Sequence, residues 1–149
     1  MNRSPFVDHP PASTAGKVAA SLFVVVAAFL MALAAGAPWG AAAQGGSNPG
    51  VLPGALRVGS GVQGVVYLLL AGVAGTRWAG ITVRRRVLHA AAALMVIGAM
   101  MNVASPSLLE RMLWVPVTVA LVIALWRAAR DESLSSGSRV QIGHARRAA

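Results

Sequence analysis

Residues 76–86 read Thr-Arg-Trp-Ala-Gly-Ile-Thr-Val-Arg-Arg-Arg, a short basic stretch between two long apolar segments. The last three residues of this stretch are Arg84, Arg85 and Arg86. Because cations in short loops stay on the cytoplasmic side during membrane insertion, this arginine triplet predicts that the middle of the chain is cytoplasmic. The stretch therefore divides the chain into two hydrophobic hairpins and orients both of them.

Four apolar segments are long enough to cross about 30 Å of hydrocarbon as helices. They are residues 18–37, 58–76, 87–104 and 108–126. Hydrophobic residues make up 56% of the 149 residues and the mean hydropathy is +0.66, values too apolar for an ordinary soluble domain. We therefore expect an all-α membrane protein, with one membrane domain over residues 18–126 and four transmembrane helices in an up-down bundle.

The ends of the chain and the first connection differ in composition from the spans. Residues 1–17 and 127–149 mix charged and small polar residues, which predicts a disordered N-terminal tail and a mobile, basic C-terminal tail. Residues 38–57 form an unusually long Gly- and Pro-rich connection, the predicted outer loop. Loops of this length are functional or disordered, and the apolar residues within this one indicate that it packs on the bundle or on the membrane surface.

The cations follow the charge rule for membrane insertion. With both termini and the central stretch placed in the cytoplasm, only Arg57 and Arg111 of the 13 Lys and Arg residues lie outside, which leaves eleven inside. The formal net charge of +9 taken alone would suggest nucleic acid, but the cations lie in tails and one short loop, so no nucleic-acid partner is expected. The Arg-, Ala- and Gly-rich composition is typical of a bacterial chain, and we expect a multi-pass protein of the bacterial inner (plasma) membrane.

The first apolar segment permits a second interpretation. Arg3 and Lys17 precede it, and residues 41–43, three alanines, follow it before Gln44, as in a secretory signal with a small-residue cleavage site. Its apolar core is longer than the roughly 7–15 residues of such signals, which favours a retained helix. Cleavage would leave three spans.

Glycines recur on one face of the second span, together with Leu68. They are Gly61, Gly64, Gly72 and Gly75. A face this smooth allows two transmembrane backbones to approach closely, because contact in lipid depends on van der Waals fit. Packing within the same chain is the simpler interpretation of this glycine stripe, and self-association or docking on another membrane protein is the alternative.

Four polar residues are expected near the outer ends of the second, third and fourth spans: Arg57, Asn102, Glu110 and Arg111. Two cations and one carboxylate under the outer loop would suit a ligand, a lipid headgroup or a partner. Local rules offer another explanation, because Ser107 and Glu110 fit a capping box and both arginines can snorkel to the interface. Asn102 can bond to a neighbouring helix.

Catalytic chemistry is not indicated by the residue types present. The absence of cysteine excludes disulfides, thiol catalysis and cysteine metal sites, and no nucleophile with its base is recognisable. His89 has no second ligand in view and is expected to be an interfacial residue. The arginine triplet is a topology determinant that can also bind anionic lipid headgroups. We expect no enzyme activity, no cofactor and no metal site.

Two polar stretches carry a resemblance to known proteins. The first runs from Gln44-Gly45-Gly46 through residues 49–53 to Arg57, and the second runs from Asn102 through residues 105–107 to Pro116. In these stretches the chain resembles a group of small bacterial four-span proteins, chiefly actinobacterial, that carry no assigned function. The resemblance implies the same four-span fold over residues 18–126, and it implies no substrate.

The sequence therefore predicts a non-catalytic integral membrane protein that acts through helix–helix or partner association. Its expected partners are the lipid bilayer and either a second copy of the chain or another membrane protein. The alternative is a small transporter or channel subunit in which Arg57, Asn102 and Glu110 line a polar vestibule at the outer face.

Overall fold

The computed structural model describes residues 12–76 and 80–148. These residues form four α-helices, together with 3₁₀ turns at Gly40–Ala42 and Gln44–Gly46. The helices are α1 (Thr14–Ala35), α2 (Gly54–Gly75), α3 (Ile81–Ala104) and α4 (Leu108–Ala148). All four are long and apolar enough to cross a membrane, α4 over Leu108–Glu132. The all-α, four-span fold is confirmed, whereas the side of the membrane that each end faces stays a prediction.

Consecutive helices run antiparallel and form two hairpins, α1–α2 and α3–α4. The hairpins join through α1 and α4, whereas α2 and α3 hardly touch. We call the side of the bundle between α2 and α3 the α2–α3 flank. The connection of residues 36–53 covers one end of the bundle, the loop end, and Arg84 lies at the opposite end, the ion-pair end. The two hairpins therefore pack against each other through α1 and α4, and the α2–α3 flank is left open.

Helix α1 has a recognisable cap at each end. The Ser13 hydroxyl accepts a hydrogen bond from the Gly16 amide at 3.2 Å, so the helix begins at Thr14 inside the predicted N-terminal tail. Gly36 ends the helix with φ +103°, a left-handed conformation that glycine adopts without strain. The predicted disordered tail is therefore shortened from its C-terminal side, and residues 1–11 lie outside the described residues.

The next two helices begin earlier than the predicted spans. Helix α2 begins directly after Pro53, so Arg57 lies in the first turn of a helix instead of in the outer loop. Helix α3 begins after Gly80, so the arginine triplet is helical and does not belong to the connection. The physical reason is that charged residues are excluded from the hydrocarbon core of the bilayer but not from a helix. A helix can therefore extend past the edge of the hydrocarbon core and include charged residues there.

Helix α4 is 41 residues long and continues through the predicted mobile tail to Ala148. Its buried face continues past the predicted end of the span at Trp126, with Leu125, Ala128, Ala129 and Glu132 all buried. These positions follow the i, i+3, i+4, i+7 pattern of one helix face. Packing of this face on the bundle therefore overrides the polar composition of the tail.

The two helices of the first hairpin approach closely through small residues. A Cβ placed on Gly64 would lie 3.0 Å from the Met31 sulfur, and one placed on Gly75 would lie 2.9 Å from the Ala20 Cβ. Both distances are shorter than ordinary van der Waals contact, so larger residues would push α1 and α2 apart. The glycine-bearing face of α2 thus packs against α1 of the same chain.

Candidate functional site

The first turns of α4 hold the connecting loop at the loop end. One carboxylate oxygen of Glu110 accepts hydrogen bonds from the Gly45 amide at 2.9 Å and from the Ser105 hydroxyl at 2.5 Å. The Ser107 hydroxyl accepts from the Glu110 amide at 3.2 Å and donates to the Ala41 carbonyl at 2.8 Å. Ser107 is therefore a helix cap, but the Glu110 carboxylate reaches the loop instead of the Ser107 amide that a capping box requires.

Trp114 makes a second connection between α4 and the loop. Its side chain is buried, and its indole nitrogen donates to the Ala42 carbonyl at 2.8 Å. The ring packs on Phe29 of α1 with a centroid distance of 4.6 Å, and Phe29 stacks on Trp39 at 6.0 Å. The loop is thus fixed to both α1 and α4 by hydrogen bonds and aromatic contacts.

A cavity of about 270 Å³ lies beneath this loop and opens at the α2–α3 flank. Residues 42–44 form its roof, and α1 and α4 form its back wall. We call it the flank cavity. Its polar lining residues are Gln44, Gln63, Tyr67, Asn102, Glu110 and Thr118, and its principal apolar ones are Val26, Phe29, Leu30, Met95, Met101, Trp114 and Leu121.

Two amides of this lining have unused hydrogen-bonding capacity. The Gln63 amide nitrogen donates to the Tyr67 hydroxyl at 3.3 Å, and both groups face the open side. The Asn102 side chain is half-buried and makes no hydrogen bond within the described residues. Gln63 lies nine residues into α2, roughly 14 Å along the helix axis, which places it near the middle of the span. The flank cavity therefore offers amide and hydroxyl groups at membrane depth.

The four residues predicted to cluster at the outer face do not meet as one group. Asn102 and Glu110 line the flank cavity, whereas Arg57 and Arg111 do not. Arg57 donates from Nε to the Ala34 carbonyl at 3.0 Å, where a cation is favourable at the C-terminal end of α1. Arg111 is exposed. The structure thus separates the two cations from the carboxylate, because each follows the helix end on which it lies.

The predicted glycine stripe lies at the contact between α2 and α1, where the absence of side chains lets the two helices pack closely. Its members Gly61, Gly64 and Gly75 each lie close to a side chain of α1. The Gly72 carbonyl accepts hydrogen bonds from the amide and hydroxyl of Thr76 at the end of α2. In this structure the face toward α1 is occupied by the same chain, so a partner would have to contact another surface.

The ion-pair end contains a buried charged pair. Arg84 and Glu132 are each 1% exposed and form a salt bridge between α3 and α4. Arg84 also donates from Nε to the Val73 carbonyl at 2.9 Å and from Nη2 to the Ala74 carbonyl at 2.6 Å, at the C-terminal end of α2. Arg84 therefore joins three helices and its guanidinium is not available to lipid headgroups, whereas its role as a topology determinant stays a prediction.

The other members of the triplet differ from Arg84. Arg85 and Arg86 are exposed and remain suited to the predicted topology or headgroup role. The His89 ring nitrogen Nδ1 lies 2.9 Å from the Arg85 carbonyl, to which it donates as the protonated nitrogen of the ring. The ring also lies edge-on to Trp126 at 6.4 Å. Only one arginine of the triplet thus has a buried structural role.

Several residues of these two sites were missed from the sequence, among them Gln63, Tyr67 and Glu132. Gln63 and Tyr67 carried a usable signal, since they are two large polar side chains one helical turn apart in a mostly apolar span. Glu132 carried a weaker signal, since it follows Leu125 by seven residues on the same helix face. Its partner lies 48 residues away, beyond the reach of any local pattern.

Among the side chains that the structure describes, no three His, Asp or Glu lie close enough together to hold a metal ion. No protein-family model matches the chain, and no curated protein or solved structure is significantly similar to it. The flank cavity and the buried ion pair are therefore the two features from which function can be inferred.

Proposed function

We propose that this chain is a non-catalytic protein of a bacterial inner membrane that acts by association with another membrane component at the α2–α3 flank. The observation that carries the proposal is the flank cavity, which is open between two helices that hardly touch. Its lining includes Gln63 and Asn102, whose amides have hydrogen-bonding capacity left over. A bound component would satisfy these groups.

The rest of the lipid-facing surface supports this choice of site. A groove on the α3–α4 side is lined by Met100, Ile123 and other apolar side chains alone, a surface that suits lipid tails. Polar groups that face hydrocarbon without partners are unfavourable, because each loses its hydrogen bonds to water. The α2–α3 flank is therefore the surface on which association removes an energetic penalty.

The charge distribution supports a cytoplasmic ion-pair end and an outer loop end. Arg85 and Arg86 are exposed at the ion-pair end, as the charge rule requires of a cytoplasmic segment. The packing argues against the alternative of a transporter or channel subunit. Phe23, Leu88 and Leu125 are each less than 2% exposed and fill the bundle between the flank cavity and the ion-pair end.

Photocrosslinking from two neighbouring methionines tests the proposal. Met101 lines the flank cavity and is 68% exposed, whereas Met100 is 66% exposed and lines the apolar groove on the other side of α3. Each is replaced by a photoreactive amino acid in the native host, and the purified chain is analysed by mass spectrometry after irradiation. A single defined adduct from position 101, absent from position 100, is expected. Identical adduct patterns at the two positions, or none at either, would refute the proposal.

A further inference from the structure

We infer that the component bound in the flank cavity is an amphiphile with an uncharged, hydroxyl-bearing headgroup and an apolar chain that extends through the flank into the bilayer. The inference rests on the proposed function, because it identifies the occupant of the same surface. Three properties of the cavity carry it: the fixed roof, the distribution of polar groups and the charge of the lining.

The connecting loop forms a roof over the flank cavity, which has a volume of about 270 Å³. Its roof is fixed, because Trp114 bonds to the Ala42 carbonyl and Glu110 to the Gly45 amide. A partner helix therefore cannot enter beneath the loop.

Polar side chains line the cavity at the loop end of α3 and α4, and Gln63 and Tyr67 continue them deeper along α2. On α4, Glu110 lies at the loop end, and Leu121 lies three turns deeper. On α3, Asn102 lies nearest the loop end and Met95 lies two turns deeper. A molecule that fits this lining has polar groups under the loop and toward α2, and an apolar part along the deeper residues of α3 and α4. The open flank lets that apolar part continue into lipid.

The charge of the lining selects the class of headgroup. The side chains that line the cavity include the Glu110 carboxylate and no Lys, Arg or His. An anionic headgroup would approach this carboxylate without a compensating cation, which is unfavourable in a medium of low dielectric constant. The amides of Gln63 and Asn102 and the Tyr67 hydroxyl both donate and accept hydrogen bonds. Hydroxyl groups complement such a lining without introducing charge.

A pair of competing lipids tests the inference on the full chain in phosphatidylcholine nanodiscs. The probe is a monoacylglycerol with a diazirine at the end of its acyl chain, and the readout is the fraction of protein labelled on irradiation. The competitors are unlabelled monoacylglycerol and lysophosphatidic acid of the same chain length, which differ by the phosphate. We expect monoacylglycerol to compete at least tenfold more effectively than lysophosphatidic acid.

Matched variants connect the labelling to the flank cavity. Gly98 lines the cavity and Gly59 does not, and a Cβ on either glycine would meet nothing within 4 Å. Gly98→Leu is expected to reduce labelling at least fivefold by filling the cavity, and Gly59→Leu is expected to leave it unchanged. Glu110→Gln keeps an acceptor for the loop and removes the charge, so lysophosphatidic acid should then compete as well as monoacylglycerol.

The outcomes separate this inference from the proposed function. Equal competition by the two lipids in the wild-type chain, or unchanged labelling of Gly98→Leu, would overturn the headgroup assignment. A protein adduct at position 101 would also overturn it, although association at the flank would stand. Loss of every adduct at position 101 would instead refute the proposed function itself.

Discussion

Replacement of Glu132 by alanine is expected to leave the Arg84 guanidinium buried without its carboxylate. The two side chains are each 1% exposed, so water does not replace the lost partner. Removal of one partner of a buried pair destabilises proteins by about 3–5 kcal/mol, because a buried charge is left uncompensated. We expect a loss of this size for Glu132→Ala, and a similar loss for Arg84→Met.

The double variant Arg84→Met/Glu132→Leu is the informative comparison. If the two single losses were independent they would add to about 6–10 kcal/mol, but replacement of both charges by apolar groups is often neutral or stabilising. We expect the double variant to lie within about 2 kcal/mol of the wild-type chain, with part of the loss due to the carbonyls of Val73 and Ala74 that Arg84 now caps.

Equilibrium unfolding in mixed detergent micelles, followed by tryptophan fluorescence, measures these free energies. Arg85→Met is the matched control, because it removes the same charge from an exposed neighbouring position and should change the free energy of unfolding by less than about 0.5 kcal/mol. The reasoning is refuted if Arg84→Met and Arg85→Met are equally tolerated. It is also refuted if the single losses add in the double variant.

Three further changes test the loop end and the first hairpin by the same unfolding assay. Trp114→Phe keeps the aromatic packing but removes the donor to the Ala42 carbonyl, and should lose about 1 kcal/mol. Gly64→Leu overpacks the α1–α2 contact and should lose about 1–3 kcal/mol, whereas Gly59→Leu should be neutral. Glu110→Ala should lose about 1–3 kcal/mol and raise hydrogen exchange in residues 36–53, whereas Glu110→Gln should retain most of the protection.

For each of these expectations, one experimental result would contradict it. An unchanged free energy of unfolding in Trp114→Phe would show that the hydrogen bond from the indole to the Ala42 carbonyl does not stabilise the fold. Equal stability of the two Gly→Leu variants would mean that α1 does not lie against Gly64. Normal exchange in Glu110→Ala would remove Glu110 from the set of loop contacts.

The sequence was sufficient for the number and order of the helices. Apolar runs of about twenty residues are long enough to cross a bilayer, and the charges of residues 76–86 divide these runs into two hairpins. The ends of the helices were less well predicted, because an apolar span ends at the first charged residue whereas the helix that contains it need not. Arg57 and Arg84 both lie within helices, because helix formation continues where a cation finds backbone carbonyls or a carboxylate.

The functional site was only partly predictable. Asn102 and Glu110 were identified because the predicted topology brings the outer ends of the third and fourth spans together. The flank cavity was not, because it depends on how far α2 stands from α3, and no local pattern encodes that separation. The glycine stripe illustrates the same limit: its periodicity located a packing face on α2 but did not identify the helix that covers it.

The ion pair shows why a tail can be misjudged. Composition over residues 127–149 is rich in Arg, Ser and Gly, which is typical of mobile segments. Four buried positions from Leu125 to Glu132 nevertheless continue the packed face of α4. A compositional average over the whole segment therefore concealed a short, regularly spaced pattern at its start.

Native mass spectrometry of the chain purified from its host membrane tests the central claim most directly, with Gly98→Leu and Gly59→Leu measured in parallel. We expect one additional mass, that of a single amphiphile without phosphorus, on the wild-type chain and on Gly59→Leu, and its loss from Gly98→Leu. The same bound mass on all three chains, or none on the wild-type chain, would contradict the account.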